Sequence, residues 1–147
     1  MAAWKEHGLR RAGDLAAELV TARLPPPAAD VITYIPADPD RLLRRGHHPA
    51  ERLARLLARA WGLDAVELLG RTERSAPGRR RQTELSRADR IVNARGAYVA
   101  VARPPATVVL VDDVYTTGAT AAAGAQALLR AGAARVDVVT FARTVRI

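Results

Sequence analysis

Residues 108–120 read VVLVDDVYTTGAT, and their types and spacing carry the chain's clearest capacity for chemistry. An apolar run leads into two adjacent carboxylates, Asp112 and Asp113. A small, hydroxyl-rich turn follows: Tyr115, Thr116, Thr117, Gly118, Ala119 and Thr120. A turn that opens a helix offers unpaired N–H groups and partial positive charge, which suits a phosphate. Gly118 lets the backbone approach a ligand, and the threonine hydroxyls add donors. Carboxylates repel phosphate and take sugar hydroxyls or a divalent cation instead. One molecule with a phosphate at one end and a cis-diol at the other, accompanied by magnesium, satisfies both demands. A ribose 5-phosphate is such a molecule. The plainer reading makes one threonine a helix cap and the aspartates a strand end, but a cap does not require three threonines beside two charges.

These residues need a scaffold that places a strand end against a helix start. Apolar residues Ala12, Leu15, Ala16, Leu19 and Val20 recur at helical spacing over residues 10–22, and LPPP at 24–27 ends that helix. Residues 30–36, DVITYIP, read as a buried strand, followed by a polar, arginine-rich loop. Pro49 opens a second helix whose apolar face is Leu53, Leu56, Leu57, Ala60 and Trp61, with Gly62 as its cap. AVELLG (65–70), AYVAVA, TVVLVDD and RVDVVTFA are strand candidates, and GATAAAGAQALLRAG is a helix closed at Gly132. Residues 71–90 are the least hydrophobic stretch and predict a mobile loop running into a short helix. Strands alternating with helices and apolar on both faces predict an α/β fold with a mostly parallel sheet covered on both sides. In such sheets ligands bind beyond the carboxyl ends of the strands, where Asp112 and Asp113 lie.

Composition narrows the field. The 147 residues, at 49% hydrophobic and 26% charged, suit one globular domain over residues 1–147. No apolar run approaches the roughly 18–20 residues that span a bilayer, and the start of the chain has no secretory pattern. A cytoplasmic protein without membrane partners is the expectation. With no cysteines there are no disulfides and no cysteine-ligated zinc, and His7, His47 and His48 lack metal-ligand spacing. The net charge of +8 fits a nucleic acid or a phosphorylated metabolite equally, and arginine richness also follows from a GC-rich genome. With 4% aromatic residues, no base-stacking platform is in view.

VVLVDDVYTTGAT resembles the phosphoribosyl pyrophosphate (PRPP) motif of the type I phosphoribosyltransferases. Residues 41–58 and residues 79–98 (RRRQTELSRADRIVNARGAY) are similar to segments of the ComF-type, competence-associated members. Many of those begin with a cysteine-rich zinc ribbon; the sequence as it stands has no cysteine, so either this is a short member or its start lies elsewhere. The resemblance implies the type I fold, with a small hood and a flexible loop over residues 71–90. It implies that Asp112 and Asp113 engage the ribose hydroxyls and the Mg2+, directly or through PRPP, and that residues 115–120 wrap the 5-phosphate. The pyrophosphate would lie on Ala37, Asp38, Arg41, Arg45 and Gly46, with Arg44 adding charge and Arg45 sharing catalysis with the two aspartates. Arg79, Arg80, Arg81 and Gln82 would belong to the closing loop, and Arg90 and Asn93 to its base. A solvated basic loop describes the individual arginines as well.

The implied reaction transfers phosphoribose to an unidentified nitrogenous acceptor with release of pyrophosphate, by positioning and electrostatics. Two other readings stay open on the same fold: a non-catalytic PRPP or nucleotide sensor, and a DNA-uptake accessory protein. Dimers are common among such proteins, so a homodimer is compatible with the resemblance.

Overall fold

The computed structural model describes residues 2–72, 96–115 and 118–143. Its elements are α1 (Ala2–Arg23), β1 (Val31–Tyr34), α2 (Pro39–Arg45), α3 (Pro49–Trp61), β2 (Asp64–Ala65), β3 (Leu69–Arg71), β4 (Tyr98–Ala100), β5 (Thr107–Tyr115), α4 (Ala119–Arg130) and β6 (Arg135–Arg143). Four strands form a sheet in the order β2-β1-β5-β6, with every pairing parallel. β3 and β4 pair antiparallel in a separate two-stranded sheet.

The apolar run of β5 explains the layering. Successive side chains of a strand point to opposite faces. Val109 and Val111 pack with Ile32 and Tyr34 of β1 against α1 and α3. Val108 and Leu110 face the other way, onto Ala123, Ala127 and Leu128 of α4 and onto Leu69 and Tyr98 of the small sheet. All four of these β5 residues are essentially sealed from water, and burying each contributes on the order of 2 kcal/mol. A strand buried on both faces has to be apolar throughout until its end.

Four sequence expectations shift. The α3 stripe is Ala50, Leu53, Ala54, Leu57 and Ala58. Leu56 and Trp61 pack beside it only partly buried, and Ala60 is exposed, because the helix is rotated toward α1. On α1, among the described side chains, the buried ones are Ala16, Ala17 and Val20, whereas Leu15 and Leu19 are exposed, and Ala12 lies outside the described side chains. AVELLG is two strands, not one. Ala65 ends β2 in the parallel sheet, the Leu68 N–H then donates to the buried Thr33 hydroxyl (3.2 Å), and Leu69 begins β3 in the other sheet. The arginine-rich loop contains α2. Asp38 Oδ1 accepts the Asp40 N–H at 3.0 Å, Pro39 occupies the first position, and Gly46, at φ 67°, receives the chain as it leaves.

Candidate functional site

The chain leaves β1 through α2 and α3 for β2 on one side, and leaves β5 through α4 for β6 on the other. The strand order therefore reverses between β1 and β5, and the carboxyl ends of these neighbours frame a crevice of the kind that binds ligands in α/β sheets. Tyr34 pairs with Val111, so the next residues of both strands, Ile35 and Asp112, stand at its floor.

On the β5 side, Asp112 is a buried carboxylate, 6% exposed. The backbone of β5 continues to Tyr115, and Gly118 is the N-cap of α4 with φ 74°. That left-handed conformation suits glycine. Lacking a side chain, Gly118 cannot cap the first-turn amides as serine or aspartate would. Ala119 is half-buried beside it and Thr120 is exposed. Gly124 sets how close α4 lies to the sheet: a Cβ there would stand 2.6 Å from Ile35 Cδ1 and 3.1 Å from Leu110 Cδ2.

On the β1 side, the Ile35 N–H still bonds to the Val111 carbonyl (3.0 Å), and Pro36, Ala37 and Asp38 then turn away into α2. Asp38 Oδ2 lies 3.7 Å from Arg71 Nη2, an ion pair with both partners half-buried. Arg71 ends β3 and is paired in register with Tyr98, the first residue of β4. Its guanidinium carbon stands 5.6 Å from the Tyr98 ring centroid, and Nη1 reaches toward the Tyr98 hydroxyl at 3.5 Å. Burial pushes the Tyr98 hydroxyl's pKa up; the Arg71 charge opposes this, and the Asp112 and Asp38 carboxylates reinforce it. One phenol thus feels charged groups from both sides of the crevice. Next to it, the Thr72 N–H bonds to Ala97 O (3.0 Å) and the Thr72 hydroxyl to Gly96 O (2.7 Å), so the residues on either side of 73–95 are fastened together at Thr72.

Of the residues singled out in the sequence, Ala37, Asp38, Gly46, Asp112, Gly118, Ala119 and Thr120 fall around this crevice or on the elements that leave it. Thr116, Thr117, Arg79, Arg80, Arg81, Gln82, Arg90 and Asn93 lie outside the described residues, as does most of the expected loop 71–90. The side chains of Arg41, Arg44, Arg45, Asp113 and Tyr115 do too. Sequence reasoning missed Arg71 and Tyr98 as site residues. Arg71 had been absorbed into the polar loop, and nothing local marks it as the end of a strand. His47 is half-buried, and His48 is bonded at both ring nitrogens. Among the described residues, no group of three or more His, Cys, Asp or Glu could hold a metal ion, and no helix is long and apolar enough to cross a membrane.

The architecture has close parallels among solved structures. The chain aligns with an allosteric regulatory enzyme of purine biosynthesis at 25% identity and TM-score 0.57, over 91% of this chain and 25% of that one. It aligns with glutamine PRPP amidotransferase from B. subtilis, complexed with ADP and GMP, at 24% identity and TM-score 0.61, over 89% of this chain and 26% of the other. Adenine phosphoribosyltransferase from Thermoanaerobacter pseudethanolicus matches at 16% identity and TM-score 0.54, over 91% of this chain and 81% of that one. The fold is that of the type I phosphoribosyltransferases. This chain spans about a quarter of the length of the first two proteins. No family model matches the sequence, and no curated protein matches it.

Proposed function

We propose that this chain is a ComF-type phosphoribosyltransferase that binds PRPP with Mg2+ and transfers the phosphoribosyl group to a nitrogenous acceptor. The observation that carries this reading is the register of β1 against β5, which sets the buried Asp112 beside Ile35, where the chain turns out toward Asp38 and its ion pair with Arg71. A ligand that needs acids at its sugar and a cation at a distal phosphate meets an acid on one strand and a cation beyond the exit of its neighbour.

In this arrangement Asp112, with Asp113, takes the ribose hydroxyls, and the turn from Tyr115 to Thr120 takes the 5-phosphate at the start of α4. The loop Ala37–Asp38 and Arg71 face the pyrophosphate, joined by Arg41, Arg45 and Gly46. A carboxylate or two together with substrate phosphates is the usual setting for magnesium, and the buried Asp112 fits that donor set. When bound, Mg2+ supplies charge neutralisation on the pyrophosphate. The C1–O bond breaks with its electron pair departing on the pyrophosphate oxygen, and the acceptor nitrogen's lone pair forms the C1–N bond. The surplus nitrogen proton passes to the leaving pyrophosphate or to water. Arg71, drawn from Asp38 to the pyrophosphate, stabilises the negative charge that develops there, while the Asp112 carboxylate favours positive charge growing on the ribose. The closing loop that the resemblance implies would exclude water from the reacting atoms; of its surroundings, Thr72 is bonded to Gly96 and Ala97.

Calorimetry with PRPP and Mg2+ tests the binding. No heat of binding, or binding unchanged by Asp112→Asn with Asp113→Asn, sinks the reading. Pyrophosphate release across a panel of nucleobases and amines then tests transfer: release with one acceptor supports the enzyme, and silence with every acceptor despite tight binding assigns the site to sensing.

A further inference from the structure

Apart from Arg71, every residue that the proposed function places at the pyrophosphate end, from Ala37 to Gly46, lies between Ile35 and His48. The two ends of that stretch are joined by a side chain: His48 Nε2 stands 3.1 Å from the Ile35 carbonyl oxygen, 13 residues away in sequence. The other ring nitrogen, Nδ1, stands 3.2 Å from Glu51 Oε2. The His48 side chain is 12% exposed, and its ring meets the Tyr34 ring at an angle of 76° with centroids 5.2 Å apart. His48 is the N-cap of α3, yet its side chain makes no capping bond. N-cap side chains ordinarily turn back onto the helix amides; this one turns to the strand exit.

Both partners are acceptors. A carbonyl oxygen has no proton to give, and neither has an ionised carboxylate. A neutral imidazole carries one N–H and one lone pair, so it can satisfy only one of them and must present its lone pair to the other oxygen. The imidazolium ion has two N–H groups and serves both. Arg55 secures the geometry from behind, with Nε and Nη2 at 3.0 and 2.8 Å from Glu51 Oε1, leaving Oε2 to His48. The groups facing the ring are Glu51 and, behind it, Arg55 from α3, and Tyr34 from β1. The Tyr34 hydroxyl's pKa is raised by burial and then by Glu51 and Glu67, with Arg55 opposing. His47 adjoins it in the chain, and Arg44 and Arg45 of α2 carry side chains outside the described residues.

We propose that doubly protonated His48 is a positioning residue that closes the pyrophosphate-binding segment, and that loss of its second ring proton weakens binding at that end of the ligand while sparing the ribose phosphate end. The inference rests on the function proposed above. Its direction is set by the bonds: closure holds at lower pH and loosens as the ring is deprotonated.

Calorimetry of wild type and His48→Gln across a pH series, with Mg2+-pyrophosphate and separately with ribose 5-phosphate, reads the effect. NMR follows the His48 ring titration in the same buffers. The ligands' own ionisation is common to both proteins, so the ratio of wild-type to variant affinity isolates the ring. For pyrophosphate that ratio is about tenfold while the ring is charged and collapses toward one along the ring's own titration. For ribose 5-phosphate it stays near one. A pyrophosphate ratio that ignores pH, or an equal change with ribose 5-phosphate, overturns the proposal.

Hydrogen exchange of ligand-free wild type supplies a readout that needs neither variant nor ligand. Protection of the Leu42 and Gly46 amides, which bond within the closed segment, falls across the ring titration. Constant protection overturns the closure. If neither protein binds PRPP or pyrophosphate at any pH while protection does follow the ring, the proposed function fails, the ligand part of this inference fails with it, and the closure alone stands.

Discussion

From Asp112 to Thr120 the β5 half of the crevice runs through one unbroken stretch of chain. The β1 half draws Asp38 from a strand exit, Arg71 from the end of β3 and Tyr98 from the start of β4, with His48 closing the segment from the head of α3. The two halves also differ in what holds them. The β5 half stands on a strand paired on both sides and on a helix seated close to the sheet at Gly124. The β1 half is a web of single bonds between elements distant in sequence: Leu68 N–H to Thr33, Arg71 to Asp38, His48 to Ile35. A site half made of adjacent residues depends on one strand and one helix start. A site half made of converging ends depends on every connection that brings those ends together.

If that contrast is right, damage to the β5 half is the more severe. Asp112→Asn combined with Asp113→Asn lowers PRPP affinity by a factor on the order of 100 or more, measured by calorimetry, with ribose 5-phosphate affected alike. Arg71→Met lowers PRPP affinity about 30-fold and leaves ribose 5-phosphate within about twofold. Equal losses for both ligands would dissolve the distinction between the halves. Thr33→Val removes the acceptor that ties Leu68 to β1 and leaves its N–H buried without that partner. Denaturant unfolding then shows a loss of about 1–2 kcal/mol, and the remaining folded protein loses pyrophosphate affinity more than ribose 5-phosphate affinity.

The smallest effect concerns acid. Burial alone would raise the Glu51 pKa, but hydrogen bonds from Arg55 and His48 outweigh it and hold the carboxyl below its ordinary 4.5. A carboxyl depressed in the folded state contributes stability above its unfolded value and loses it as pH falls through the folded value. Glu51→Gln therefore flattens the decline in stability below about pH 4.5. Urea midpoints over an acid pH series check it, and a wild-type decline retained in the variant would remove Glu51 from the account.

The same contrast explains what could be read from residues alone. VVLVDDVYTTGAT announces a buried strand, its end and a helix start in consecutive positions, so β5, Gly118 and α4 were all legible, and the alternation of elements carried the α/β fold with its parallel sheet. α2 was missed although its signals were present: Asp38 before Pro39, and Gly46 after the last helical residue. Three arginines in this segment, Arg41, Arg44 and Arg45, drew attention to charge and away from capping. The split of residues 65–70 between two sheets has no local signal, because it follows from a hydrogen bond to Thr33, 35 residues earlier. Arg71 looked like the first residue of a polar loop. Its position beside Asp38 and Tyr98 exists only once β3 has paired with β4.

The register of β1 against β5 carries one more consequence. Tyr34 and Val111 are hydrogen-bonded neighbours, so the floor residues of the two halves are separated by a single inter-strand step of about 4.8 Å. That step is built from backbone and cannot stretch without breaking the ladder. The sheet is in effect a ruler, and a molecule held at once at Asp112 and at the chain leaving Ile35 is judged first by its length.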